Sequence, residues 1–264
     1  MKNLLIVFLC MGVGSTTAQT NLHQYFDSIG IAGSTTIYDY QQDKLIFTDS
    51  SDAQKATLPA STFKIINSLI ALEFGAVDNE KEVLKWDGKV RGFQGQPIEA
   101  WNQDTNLKEA YTNSTVWFFV EIAKRIGREK YKSILNSCDY GNGSLSEKGA
   151  DFWNYGNFAI TPINQINFLV RLYDEKLPFS EKTIKTVKKI MISENTPGFR
   201  IYSKSGWTQK NGQDIGWWVG YIEKKDKTYF FATRLLKDET KELREFGDLR
   251  EEITRKILTE MEIL

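Results

Sequence analysis

Ser61 and Lys64 enclose Thr62 and Phe63, so a hydroxyl and an amine stand at i, i+3, on one face of any helix formed there. The chain's only histidine is His23, near the N-terminus, which argues against a histidine-based triad. A nucleophilic serine needs a base within reach, and Lys64 is the candidate. The amine serves only when neutral, and burial lowers a lysine's pKa toward that state. A single Ser-x-x-Lys is weak evidence, because a chain this long supplies roughly one by chance. Two further groups add to it. Ser114, Thr115 and Val116 offer a second hydroxyl, and Lys204, Ser205 and Gly206 a second cation.

The elements that must position these groups follow from periodicity. Over 62–74 the apolar residues Phe63, Ile65, Ile66, Leu69, Ile70 and Leu72 surround most of a helix, with Gly75 as C-cap. That pattern predicts a buried helix with Ser61 at its start, where free backbone N–H groups and the dipole favour negative charge. Segments 34–39 and 44–48 read as a hairpin, and 116–126 and 130–135 as helices. Pro162 suits the first position of a helix running to about 175, and 182–191 reads as a helix with a solvated lysine-rich face. Strands are predicted over 200–204, 215–223 and 228–235, with 208–214 as a loop, then an amphipathic helix over 248–261. The fold class is therefore α+β: an antiparallel β-sheet flanked by helices, with an inserted, mostly helical domain. The sheet domain takes 20–60 and 155–264, the helical domain 61–154, and the active site is expected between them.

The motifs Ser61–Lys64, Ser114–Val116, Tyr140–Asn142 and Lys204–Gly206 stand in an order and at separations that resemble the penicillin-recognising serine enzymes, and among them the class D, oxacillinase-type β-lactamases. The resemblance spans nearly the whole chain after the N-terminal segment. Val116 occupies a position where transpeptidases and class A β-lactamases usually carry asparagine. The family implies hydrolysis of a small-molecule β-lactam by way of an acyl-enzyme on Ser61, with Lys64 carbamylated by CO2 or bicarbonate and no other cofactor. It also implies that Val116 keeps the lysine pocket dry and that Trp153, thirteen positions after Tyr140, hydrogen-bonds the carbamate. By the same resemblance Ser114 relays a proton to the departing nitrogen and Lys204 lends positive potential. The N–H groups of Ser61 and Trp207 hold the oxyanion, and Ser205 and Arg250 grip the substrate carboxylate. The second Tyr-Gly-Asn, at 155–157, has no tryptophan at that spacing and reads as ordinary sheet-approach sequence. Arg250 directly precedes the last helix as the family requires, and Arg244 is read as solvent-facing. Asp151 and Glu147 are read as structural, and Trp101, Trp117, Trp217 and Trp218 as packing.

Composition narrows the function classes. Lysine plus arginine balance aspartate plus glutamate at 34 each, so no net field points to nucleic acid. Residues 1–19 combine Lys2, an apolar run over 4–13 and small residues ending at Ala18, the layout of a secretory signal. The run is about half the ~20 residues that cross a bilayer, so no stable membrane insertion is expected, and the chain is placed in the periplasm or outside the cell. Cys10 leaves with the signal, and Cys138 remains as a small buried residue. One histidine and one cysteine build no zinc site. An acylating receptor domain, a cell-wall peptidase and a non-catalytic binding module stand as alternatives, and oligomeric state, a homodimer included, is open.

Overall fold

The computed structural model of the chain describes residues 21–241 and 245–264. The signal expected over 1–19, Cys10 within it, and Arg244 lie outside the described residues. Helix α1 (Gln24–Asp27) leads into strands β1 (Ala32–Asp39) and β2 (Lys44–Phe47), the hairpin expected there. A 3₁₀ turn, Ala60–Phe63, runs into α2 (Lys64–Glu73). Four two-residue strands follow, β3 (Val83–Leu84), β4 (Gly92–Phe93), β5 (Gln96–Pro97) and β6 (Thr105–Asn106), pairing β3 with β6 and β4 with β5. Then come α3 (Leu107–Thr112), α4 (Val116–Ile126), α5 (Arg128–Ser137), α6 (Pro162–Tyr173) and α7 (Glu181–Ile190). Strands β7 (Ile192–Asn195), β8 (Arg200–Lys210), β9 (Gln213–Lys224) and β10 (Lys227–Asp238) and helix α8 (Phe246–Glu260) complete the chain.

Local chemistry explains most of these boundaries. Thr161 caps α6 by accepting from the Asn164 N–H, with Pro162 in the first turn, and Ser180 caps α7 through the Thr183 N–H. Gly127, at φ +82°, separates α4 from α5. The segment 208–214 departs from the loop expected there. It continues β8 and β9 through a two-residue turn in which Asn211 and Gly212 both have positive φ. Asn-Gly is the usual signal for such a turn, but polar Thr208, Gln209 and Lys210 before it give no apolar alternation to announce a strand. The edge strand β7 is short, mostly polar and bulged between Ile192 and Glu194, and periodicity does not reveal it.

The six-stranded antiparallel sheet runs β2-β1-β10-β9-β8-β7. Both faces are covered. Trp217, Val219 and Tyr221 of β9 join the core shared with α2, α4 and α6, while Trp218 and Ile222 pack with α1 and α8. The central strands are therefore apolar on successive residues, against the half-buried alternation of a one-sided sheet. Helix α2 is buried from Lys64 to Ala71, as its all-round apolar pattern requires, and α7 packs on α2 and α3. Among the described residues no helix is long and apolar enough to cross a membrane.

One ion pair sits inside this frame. The Arg234 guanidinium on β10 is fully buried, donating to the Asp52 carboxylate and to the Lys55 carbonyl, while the Ser34 hydroxyl donates to the same carboxylate. Removing one member strands the other charge in the interior. Asp52→Ala is expected to lower unfolding free energy in urea by about 3–5 kcal/mol. Adding Arg234→Met should recover most of it, and a loss under about 1 kcal/mol in the single variant would show the pair to be unimportant.

Candidate active site

The 3₁₀ turn carrying Ser61 is fixed from four sides. The Ala60 N–H donates to the Trp153 carbonyl at 3.1 Å, and the Trp217 indole N–H on β9 donates to the Leu58 carbonyl at 2.9 Å. Buried Gln165 of α6 donates to the Thr62 hydroxyl, and Tyr140 donates to Gln165 in turn. The fourth side is β8. A Cβ on Gly206 would lie 3.0 Å from both the Pro59 carbonyl oxygen and the Ser61 nitrogen, so the strand reaches the turn only without a side chain there. Ala60, at φ +51°, and Ser114, at φ +56°, hold the left-handed conformation that L-residues seldom adopt, one beside each hydroxyl of the site.

Because the 3₁₀ turn eclipses residues three apart, Lys64 comes under Ser61, and its Nζ lies 2.7 Å from Ser61 Oγ. Lys64 is fully buried, with the Phe119 ring centroid 5.3 Å away. Desolvation lowers its pKa to about 7, against an opposing pull from Asp151. Across the cleft, Lys204 of β8 donates to Ser114 Oγ at 2.7 Å, and burial, Lys64 and Arg250 together hold its pKa well below the usual lysine range. Arg250 lies inside α8 rather than directly before it as expected, because the helix begins already at Phe246; it donates to the Gly206 carbonyl at 2.8 Å, and burial brings it down to about 10. Strand β7 pairs with β8 only as far as Tyr202, so the rest of that edge of β8 faces the nucleophile turn without an intervening strand.

These groups meet in a cleft of about 480 Å³ lined by Ser61, Ser114, Val116, Ser205, Gly206, Trp207 and Arg250. Lys64 and Lys204 reach it through the two serines. Trp153 lies behind the cleft, fully buried, its ring stacked on Phe63 at 5.1 Å, and its indole N–H has no partner. Among the described residues no cluster of side chains could hold a metal ion.

Several lining residues were not foreseen. Asp151, read as structural, faces the cleft, and burial raises its carboxyl to about 6, against the Asn154 amide and Lys64, which lower it. Tyr155, from the second Tyr-Gly-Asn, lines the cleft on a segment that also approaches the sheet as expected, where Lys210 of β8 donates to the Gly156 carbonyl at 2.7 Å, whereas Tyr140 of the first copy is buried against α6. Trp101 contributes a wall, not packing alone, and Trp207 lends its ring as well as its backbone, between Phe93 and Phe246. Arg91 and Phe93 come from the β4–β5 region, where turn residues hide any period. For Asp151 the available signal was its place two residues before Trp153, whose ring packs on Phe63 beside Lys64 in the chain.

Residues 28–259 match the family described as the penicillin-binding protein transpeptidase domain. The chain is 38% identical over 251 residues to the β-lactamase OXA-20 of Pseudomonas aeruginosa, covering 94% of this chain and 90% of that protein. It is 39% identical over 212 residues to the β-lactamase OXA-48 of Klebsiella pneumoniae, covering 80% and 77%. The crystal structure of a class D β-lactamase from Sebaldella termitidis superimposes with a TM-score of 0.88 at 44% identity, covering 92% of this chain and 96% of that one.

The fit of β8 against the nucleophile turn is testable. Gly206→Ala is expected to slow labelling of Ser61 by an electrophilic acylating probe by about 10–100-fold, since small displacements of reacting groups have effects of that size. Overpacking should also lower the unfolding free energy by about 1–3 kcal/mol, and an unchanged labelling rate in the folded variant would mean that the turn does not need this close approach.

Proposed function

This chain belongs to the class D β-lactamases, and from that premise we propose an exported serine hydrolase that opens the β-lactam ring through an acyl-enzyme on Ser61, with Lys64 carbamylated by CO2 as general base. The observation that carries the reading is the buried Lys64 amine, depressed to about 7 and 2.7 Å from Ser61 Oγ. An amine in that state is neutral often enough to react with CO2, and the modified side chain would supply an anionic base beside the hydroxyl. The residues present fit it. The Trp153 indole N–H is a buried donor without an acceptor, on a ring stacked against the residue preceding Lys64, and Asn67, one turn along α2, has a buried amide N–H₂ likewise unpartnered. Val116 and Phe119 keep the surroundings apolar.

In this reading Ser61 Oγ loses its proton toward Lys64 and attacks the lactam carbonyl, and the C–N bond breaks as the acyl-enzyme forms. The N–H groups of Ser61 and Trp207, one on the nucleophile turn and one on the open edge of β8, hold the oxyanion, each worth about 100-fold or more in rate. Ser114, which accepts from Lys204, passes a proton to the departing nitrogen. Arg250 and Ser205 receive the substrate carboxylate, where charge-assisted hydrogen bonds fix orientation. Water activated on the Lys64 side then releases the product, which separates a hydrolase from an acylating sensor. Export is supported by the pattern of residues 1–19.

Steady turnover of a chromogenic cephalosporin by the chain without residues 1–18 tests the reading, with bicarbonate added or depleted. Lys64→Ala should lose at least about 1,000-fold in kcat. Trp153→Ala should give a stoichiometric burst followed by slow turnover, and activity should fall as pH drops below about 7, where Lys64 takes up a proton. A lone burst from the unaltered enzyme, or indifference to both bicarbonate and Trp153→Ala, would overturn it.

A further inference from the structure

Among the described residues Asp151 is the sole acidic side chain lining the cleft, against the cations Arg91 and Arg250. Arg91 is already paired with the Asp87 carboxylate through two hydrogen bonds, and among the described residues no lysine or arginine lies within ion-pair distance of Asp151. The carboxylate is nevertheless held in place. The N–H groups of Asn154 and Tyr155 both donate to the Asp151 carbonyl, at 3.3 and 3.2 Å, and the Asn154 amide donates to Asp151 Oδ1 at 2.8 Å. Oδ2 has no partner among the described residues, on a side chain that is half-buried on the lining. The whole segment is clamped alongside β8, where the Thr208 hydroxyl donates to the Asn154 carbonyl at 2.9 Å and Lys210 donates to the Gly156 carbonyl at 2.7 Å.

The order of groups along β8 sets what meets that carboxylate. Ser205 and the Arg250 contact at Gly206 come first, the Trp207 N–H follows, and Thr208 is the residue tied to the Asp151 turn. In a penicillin the lactam carbonyl lies between the ring nitrogen, on whose side the carboxylate is carried, and the carbon that bears the acylamino side chain. With the carboxylate toward Ser205 and Arg250 and the carbonyl toward the Trp207 N–H, that side chain runs on toward Thr208, at ~3.3 Å per residue of strand. We propose that Asp151 selects β-lactams whose acylamino side chain carries a cationic amine, its free carboxylate oxygen accepting a hydrogen bond from the ammonium. The inference rests on the hydrolase reading above and deepens it, by naming zwitterionic β-lactams as the preferred substrate class.

The distribution of charge along the cleft favours this role. Arg250 stands at the Ser205 end and Asp151 beside Thr208, so a ligand with its carboxylate at one end and an ammonium at the other meets an opposite charge at both. An Asp151 that served only to close its turn would have no oxygen to spare, whereas here the turn uses Oδ1 and the backbone carbonyl alone. Charge-assisted hydrogen bonds of this kind are about twice as strong as neutral ones. Tyr155, 59% exposed on the same lining, offers an aromatic surface next to the carboxylate, a second kind of partner for a cation. Burial lifts the carboxyl only to about 6, so the group is mostly ionised at neutral pH.

The test compares benzylpenicillin with ampicillin, which differs from it by one α-amino group, at about pH 7, where an α-amino group of ordinary pKa near 8 is charged. The readout is the ratio of the two kcat/KM values for the enzyme without residues 1–18, so that any general loss of turnover cancels. Asp151→Asn keeps an acceptor for the Asn154 amide and removes the charge. It should lower the ampicillin-to-benzylpenicillin ratio about tenfold, the low end of what a hydrogen bond to a charged group contributes. Asp151→Glu should restore part of the preference. In the unaltered enzyme the ratio should fall severalfold as salt rises from about 0.02 to 0.5 M, because a partly exposed charge pair is screened. A ratio unmoved by Asp151→Asn, or unmoved by salt should that variant not fold, overturns the role of Asp151 while leaving the hydrolase reading intact. Failure of the unaltered enzyme to turn over either penicillin overturns that reading and this proposal with it.

Discussion

The structure turns on the placement of a lysine amine where water cannot reach it. Lys64 is fully buried in α2, and its amine has one hydrogen-bond partner of note, Ser61 Oγ. Lowering its pKa from 10.5 to about 7 corresponds to a penalty on the order of 5 kcal/mol against the charged form in the folded state. The sign follows from linkage. Below pH 7 the amine is protonated in both folded and unfolded chains and the fold carries the whole penalty, which fades as pH rises from 7 through 10.5. A side chain with that cost persists where an uncharged amine is what the site needs.

Such a residue demands that its surroundings stay dry and fixed, and the fold does both with the same contacts. The apolar pattern of α2 removes water from Lys64, and the stack of Phe63 on Trp153 closes the back of the pocket. The 3₁₀ turn before α2 then needs anchoring, because three residues per turn give poorer hydrogen bonds than an α-helix. Leu58, Ala60 and Thr62 each accept or donate one bond to a different element: β9, the Trp153 turn and α6. Gly206 lets β8 come within van der Waals distance of the same turn. Nucleophile, base and the strand edge proposed to hold the oxyanion are thus located by direct contacts of the nucleophile turn with its neighbouring elements.

How much of this was legible in the sequence varies with the kind of signal. The helix of Lys64 and the strand of Lys204 were readable because burial imposes a period, and 3.6 or 2.0 is visible in a single chain. The pairing of Ser61 with Lys64 was readable because it is local. The pairing of Ser114 with Lys204 spans ninety residues, and resemblance supplied it, periodicity being silent. The place of Asp151 on the cleft lining was not legible, because it depends on a turn closed by its own backbone carbonyl and clamped by Thr208, and neither contact leaves a mark in residue type. The hairpin through Asn211 and Gly212 was missed for a related reason: an Asn-Gly pair announces a turn, but polar neighbours concealed the strands on either side. Phe93 and Trp101 reach the cleft on short strands and a 3₁₀ turn, too brief to carry any period.

The balance of charge around the cleft explains what the site is built to receive. Lys64, Lys204 and Arg250 each lose solvation, and Lys204 is depressed further by the charges of Lys64 and Arg250. A stability-optimised core would pair them, as Asp52 pairs Arg234 behind the sheet. Here Lys204 and Arg250 bond instead to a hydroxyl and to backbone carbonyls, partners that orient a cation without neutralising it. The uncompensated positive potential is available to anions that arrive later, which in a desolvated cleft is worth far more than the same charges in water. Asp151 is the exception on the lining, and its carboxyl near 6 makes it an acid that can be silenced by one proton. Cations held by neutral partners, against one carboxylate on the lining, leave the cleft with a positive potential that suits an anionic ligand.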